Sequence, residues 1–303
     1  MPAAKRDAAP TDGRALVVMA RRAVAGTVKT RLAEGIGTAR ALEAYVTLLG
    51  DTMVRAQAAP AGARFVALAD DETDRRPDLG SLGLGDESRL TPSAWTFIGQ
   101  AGGDLGERLA GVFAQLFSAG YDSAAIVNSD SPGMPEEYVA RSFELLQAGA
   151  TGDHGAAADL VLGPAADGGY YLIGLARTAW EARGEAIRCV LSATPMGSSR
   201  VLSFTLGEAA KLGLRVEQLP PWVDVDTVAD LPLMERLLGR GGEPPRGEPL
   251  ERLREVYLHV TNRCGLDCPH CYNKTSPRDP DELSTEAWKD VIDQALALGA
   301  ESF

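Results

Sequence analysis

The 303-residue sequence contains no run of about 18 consecutive apolar residues, the length a membrane-spanning helix needs. Its opening, MPAAKRDAAPTDGR, lacks the apolar stretch of a secretory signal, so the expected location is cytoplasmic and no membrane partner is expected. Basic charge is also in deficit, with 42 Asp plus Glu against 30 Lys plus Arg and a net charge of −12. Such a field repels polyanions and argues against non-specific binding to nucleic acid or anionic membrane. Any phosphate site must therefore be local. Lysine is scarce, with Lys29 alone between Lys5 and Lys211, a compositional bias that by itself says little about Lys29. Cysteine is too sparse for a disulfide framework: of four, Cys189 stands apart while Cys264, Cys268 and Cys271 cluster, which in a reducing compartment reads as a metal site. What is abundant is ordinary globular material, 45% hydrophobic and 24% charged, which excludes global disorder.

At about 100–200 residues per domain the length allows two domains. Residues 1–13, small, polar and proline-containing, are expected to form a disordered tail. Short continuous apolar runs at 15–20, 65–69, 95–98, 124–127 and 160–162 have the pattern of strands buried on both faces of a parallel sheet. Between them, 37–58 places Ala41, Leu42, Tyr45, Leu48, Leu49 and Met53 on one helical face. The stretch 104–119 does the same with Leu105, Leu109, Val112, Phe113 and Leu116. This rhythm of strand and helix predicts an α/β fold with a doubly wound, mostly parallel sheet over 14–238. Such sheets bind ligands at the C-terminal ends of their strands. A linker is expected over 239–252, where 239–249 is rich in Gly and Pro and has no apolar member, and a second domain over 253–303.

Four segments carry the chemistry of the first domain. After the first strand, Gly26 permits close backbone approach, and Lys29 and Arg31 supply a point charge and a bidentate fork suited to a nucleotide's phosphates. The Walker spacing is absent. A solvated basic turn is the plainer reading. After the fourth strand, Asp130 in Asn128-Ser129-Asp130-Ser131-Pro132 is placed to hold Mg²⁺, or merely to cap a turn. In Asp167-Gly168-Gly169-Tyr170 the glycines admit a ligand to the backbone and Asp167 can accept from sugar hydroxyls, unless this is only an Asp-Gly hairpin. In Asp224-Val225-Asp226-Thr227 the two carboxylates share a face of an extended segment. One or both would complete a metal site, although Thr227 with Asp230 also reads as a helix cap.

In order and spacing these segments, with Asp104-Leu105-Gly106-Glu107-Arg108 and Gly163-Pro164, resemble nucleotide-diphospho-sugar transferase-like proteins of the glycosyltransferase-A fold, specifically the group associated with radical SAM and selenodomain proteins and named for arsenosugar biosynthesis. The resemblance runs from about 14 to 238. It implies that Gly26, Lys29, Thr30 and Arg31 bind nucleotide phosphates, that Asp130 and Asp226 ligate Mg²⁺ or Mn²⁺, and that Asp130, Asp167 and Asp226 are catalytic. It also implies that Gly168, Gly169 and Tyr170 contact substrate. Family members usually carry lysine and two prolines where this chain has Arg21, Ala23 and Ala25, and often a tryptophan where it has Leu191.

Beyond the linker, 255–261 alternates as a strand and delivers Cys264-x₃-Cys268-x₂-Cys271. Three thiolates in so short a loop can ligate three irons of a cubane and leave the fourth open. A structural zinc would need a further ligand, and His270 lies between two of the cysteines. The segment resembles the N-terminus of radical SAM enzymes. That resemblance implies a [4Fe-4S] cluster on Cys264, Cys268 and Cys271, S-adenosyl-L-methionine on the open iron, and the first β-α unit of a partial TIM-type barrel. The glycine-rich SAM-binding segment and later strands are missing, so radical chemistry by this stretch alone is not expected.

The reading that follows is a Mg²⁺-dependent glycosyltransferase taking a nucleotide sugar and a small-molecule acceptor, fused to the start of a radical SAM domain. Its rival on the same fold is a nucleotidyltransferase joining an NTP to a phosphorylated acceptor. A reading of another class is a non-catalytic scaffold delivering substrate to a radical SAM partner chain.

Overall fold

The computed structural model describes residues 12–69, 77–85, 89–100, 103–147 and 157–239, with the isolated positions 289 and 292. The chain divides into two compact units, 1–244 and 245–303. Nearly all of the second unit lies outside the described residues, and with it the expected cluster ligands Cys264, Cys268 and Cys271 and the strand and helix predicted around them. The disordered tail predicted for 1–13 and most of the 239–252 linker also lie outside them.

Seven strands form one sheet: β1 Arg14–Arg21, β2 Ala63–Ala69, β3 Thr96–Gly99, β4 Ser123–Val127, β5 Leu160–Pro164, β6 Tyr170–Ala176 and β7 Val216–Gln218. Their order is β3-β2-β1-β4-β6-β5-β7. Every pairing is parallel except those of β6, which runs against both β4 and β5. Among the described residues seven helices accompany them: α1 Thr30–Ile36, α2 Thr38–Ala58, α3 Leu105–Ser118, α4 Glu136–Gln147, α5 Arg177–Ala193, α6 Val201–Lys211 and α7 Leu231–Gly239. Among the described residues no helix is long and apolar enough to cross a membrane.

Alternation along β1 explains the three layers, because successive side chains leave a strand on opposite faces. Leu16, Val18 and Ala20 pack with Tyr45, Leu49 and Met53 of α2 and Phe143 of α4. Ala15 and Val17 pack on the other face with Val112, Phe113 and Leu116 of α3 and with α5 and α6. Both faces of the strand are covered, so it carries no polar side chain between Ala15 and Ala20. A smaller cluster of Leu32, Ala41, Leu48, Val225 and Met234 ties α1, α2 and α7 to the segment before α7. Gly106 sets the spacing of the second layer: a Cβ there would overlap the Leu191 carbonyl oxygen, so only glycine lets α3 approach α5 this closely.

Two expectations are corrected. Leu105 lies at the first turn of α3 and is 45% exposed, because Asp104 caps the helix there and the turn overhangs the site described below instead of the core. Trp95 precedes β3; it is buried, but in the turn that leads into the strand. The 163–174 segment, seen in the sequence as one apolar run joined to another, is a β5–β6 hairpin.

Candidate functional site

From β1 the chain goes on to β2 on one flank and from β4 to β5 on the other, so the strand order reverses between these two neighbours, and their C-terminal ends mark the expected ligand crevice. Those ends are Arg21 and Val127, and the loops that follow hold the predicted Lys29 and Asp130. The β1 end is closed off by side chains. The Tyr45 hydroxyl accepts from the Arg21 N–H at 2.8 Å and donates to the Arg21 carbonyl oxygen at 2.9 Å, and burial pushes its pKa up to about 12. Gln100 donates its amide hydrogens to Ala20 O and Ala67 O at 3.2 and 2.7 Å. Gly26 takes a positive φ of 83° in the loop, and Lys29, at φ 47° and ψ 47°, is the one non-glycine residue with positive φ among the described residues. Left-handed backbone in a residue with a Cβ costs about 1–2 kcal/mol and persists only where surrounding contacts hold it.

Those contacts are ionic. The Lys29 ammonium lies 2.9 Å from Asp130 Oδ1 and 2.9 Å from Asp226 Oδ1, and it donates to the Val225 carbonyl oxygen. Its side chain is 5% exposed. Burial works against this charge, but the Asp130 and Asp226 carboxylates outweigh it and hold the lysine pKa above its ordinary value. Asp226 is fixed from behind, because the Asp230 carboxylate accepts from the N–H groups of Asp226 and Thr227 at 3.0 and 2.7 Å and from the Thr227 hydroxyl. The cap expected at Thr227 thus forms, and it serves to orient the site.

The Asp224 side chain is turned inward. Ser131 donates to Asp224 Oδ1 at 3.2 Å and to Asn128 Oδ1 at 2.9 Å. Burial, then the neighbouring Asp167 and Asp130 charges, push the Asp224 carboxyl up to about 7. The loops after β4, β5 and β7 are stitched together here. The Val225 N–H donates to Asp130 O, the Trp222 indole to Pro132 O and the Trp222 N–H to Pro164 O, at 2.9 to 3.0 Å. Gly133 N–H is held by Asp51 Oδ2 at 2.7 Å.

Lys29, Thr30, Arg31, Asp130 and Asp226 all line one open cleft of about 640 Å³, within the range of small-molecule sites. Gly26, Asp167, Gly168, Gly169 and Tyr170 are not among its lining residues. Asp167 sits at the exposed tip of the β5–β6 hairpin, where its Oδ1 accepts from the Gly169 N–H at 2.8 Å. The hairpin reading of Asp167-Gly168 therefore describes the backbone, and the Asp167 charge still acts on Asp224 across the site. Tyr170, expected to contact substrate, is carried by β6 alternation into the α3/α5/α6 layer, where its hydroxyl is buried beside Thr205. Leu191 likewise packs inward in that layer. Residues the sequence reading did not assign to the site are Arg21, Tyr45, Gln100, Asp104 and Arg108, all lining the cleft. Tyr45 carried only an apolar signal there, as part of a core-facing helical stripe. Asp104 and Arg108 lay in a motif that carried the resemblance without a role of their own.

Among the described residues no group of three or more His, Cys, Asp or Glu is arranged to hold a metal ion. Asp130 and Asp226 form a pair, each carboxylate about one-third open to solvent. Two hard oxygen ligands beside the basic Lys29 and Arg31 suit Mg²⁺ or Mn²⁺, which are usually held by one or two carboxylates plus phosphates and water.

A family described as "Uncharacterized protein conserved in bacteria (DUF2064)" matches residues 52–189, a span that includes Asp130 and Asp167 but neither Lys29 nor Asp226. A solved structure from Desulfovibrio desulfuricans G20, described as a "putative nucleotide-diphospho-sugar transferase", is 28% identical, with a TM-score of 0.62 over 80% of this chain and 91% of that one. The two chains share a fold. It is α/β, with a mostly parallel sheet, of the glycosyltransferase-A-like kind. More distant matches are the Mycobacterium sp. strain JC1 homolog of rv0371c from Mycobacterium tuberculosis (20% identity, TM-score 0.42, 76% and 96% covered) and a cytidylyltransferase from Leptospira borgpetersenii (12%, 0.46, 75% and 87%).

Proposed function

We propose that the protein is a divalent-cation-dependent transferase that binds a nucleotide sugar by its diphosphate and passes the sugar to a small-molecule acceptor. The observation that carries this reading is the meeting of Lys29 and Arg31 with Asp130 and Asp226 in one cleft at the β1/β4 crevice. The description of the Desulfovibrio structure supports a sugar nucleotide as donor. Arg31 offers two parallel donors to a phosphate and Lys29 a point charge. Asp130 and Asp226 would hold the cation, which when bound supplies charge that offsets the departing phosphate. Asp167, with Gly168 and Gly169, would face the sugar or acceptor, beside the inward-turned Asp224.

The nucleotidyltransferase reading draws on a specific feature. The carboxylate pair comes from two loops, because the β4 loop contributes Asp130 alone and Ser131 is turned to Asn128 and Asp224. Incubation with Mg²⁺ and panels of nucleotide sugars and NTPs separates the two. Release of nucleoside diphosphate is the expected result. Release of pyrophosphate from an NTP would establish the rival, and turnover of neither would leave the scaffold reading, which offers no reason to bury a lysine among carboxylates. For residues 253–303, nearly all outside the described residues, the Cys264, Cys268 and Cys271 spacing supports a [4Fe-4S] site with S-adenosyl-L-methionine. Anaerobic reconstitution with iron and sulfide should produce cluster absorption, and its absence with intact thiols would refute that assignment.

A further inference from the structure

We infer that Lys29 occupies the cation position between Asp130 and Asp226, so that a divalent cation enters only when phosphate draws the ammonium away. The inference rests on the phosphate-binding role proposed above. An ammonium has three hydrogens to donate. In the structure three acceptors surround it: Asp130 Oδ1, Asp226 Oδ1 and the Val225 carbonyl oxygen. No donor remains for a phosphate, and the two carboxylate oxygens best placed to share a metal are already shared by the lysine. The side chain is buried to 95% and its backbone is held left-handed, so the ammonium is not an idle surface charge resting on the pair.

Three consequences follow from one geometry. For Lys29 to donate to phosphate it must give up at least one of its three acceptors. For a cation to take both carboxylates, the ammonium must leave, since two positive charges do not share a position a few ångströms wide. Phosphate therefore favours metal binding twice, by offering oxygens to the cation and by removing its competitor. By linkage, the cation favours phosphate binding by the same factor. Lys29 thus orders the assembly of the site, offsetting part of the charge of the Asp130–Asp226 pair until a substrate arrives.

The test is Mn²⁺ binding to the full chain, followed by electron paramagnetic resonance with no nucleotide present, in wild type, Lys29→Met and Lys29→Gln. Both variants should bind Mn²⁺ more tightly than wild type, on the order of tenfold, a size typical of coupling between sites. Thermal unfolding gives a second readout: Mn²⁺ should raise the midpoint of either variant more than that of wild type, since it replaces the lost partner of two facing carboxylates. Lys29→Gln keeps a donor for the pair and serves if Lys29→Met does not fold. Inorganic pyrophosphate, a base-free diphosphate, should tighten Mn²⁺ binding to wild type and do so less in the variants. Variants that bind Mn²⁺ no better than wild type would overturn the inference, and if wild type still bound nucleotide with Mg²⁺ the proposed function would stand without it. Tighter Mn²⁺ binding in the variants alongside no nucleotide binding by wild type would do the reverse, upholding the competition and removing the proposed function.

Discussion

Asp159 shows what one well-partnered carboxylate contributes at the edge of this sheet. Its Oδ2 accepts from the Arg215 N–H at 2.9 Å and its Oδ1 from the Arg215 guanidinium at 3.0 Å, which pins the start of β5 to the segment entering β7. The Arg215 hydrogen bonds hold its pKa below the ordinary 3.8 despite burial. A carboxyl depressed in the folded state stabilises above its unfolded pKa and loses that contribution as pH falls through the folded value. Asp159→Asn should therefore lower stability at neutral pH by about 1 kcal/mol, the net worth of a hydrogen bond with an exposed arginine, and the difference from wild type should shrink as pH falls through the depressed folded-state pKa. Urea denaturation at several pH values measures it. At this scale the sequence was informative wherever a charged residue followed closely on an apolar run, as Asp130 does three residues after the end of β4. Asp224 was harder to read. Its two-residue spacing from Asp226 placed both carboxylates on one face, but its burial depends on Ser131 and Asn128, which arrive from a distant loop.

At the scale of elements, strands β1, β2 and β4 were legible because a strand covered on both faces must be apolar throughout, a pattern that needs no partner to be recognised. Helices α2 and α3 were legible from their stripes, with Leu105 the exception, since its place on the stripe does not reveal that the first turn hangs over the cleft. The direction of β6 was legible only through the Asp167-Gly168 hairpin reading, because an apolar run by itself looks the same in a parallel or an antiparallel neighbour. Strand β7, only Val216–Gln218, is too short and too polar to stand out. The close approach of α3 to α5 turns on Gly106. Gly106→Ala should destabilise the protein by roughly 1–3 kcal/mol, as overpacked sites do, by driving α3 away from Leu191 in α5. An unchanged thermal midpoint would show that the two helices can separate freely.

For the whole molecule, the strand order decides where function can reside. Because the strand order reverses between β1 and β4, the loops bearing Lys29 and Asp130 leave neighbouring strand ends and meet. The segment carrying Asp226 joins them through the Val225 N–H bond to Asp130 O. Residues spread over most of the first unit thus converge on one cleft whose local charges, basic at Arg31 and Arg108 and acidic at Asp130 and Asp226, differ from the net negative charge of the chain. The most direct test of this arrangement is calorimetric titration of a nucleoside diphosphate panel into the protein with Mg²⁺. One member should bind saturably at one site per chain. Asp130→Ala and Arg31→Ala should each weaken that binding by about tenfold or more, the loss expected when one charge-assisted partner is removed. Absence of binding across the panel, or equal binding by both variants, would contradict the placement of nucleotide phosphates in this cleft.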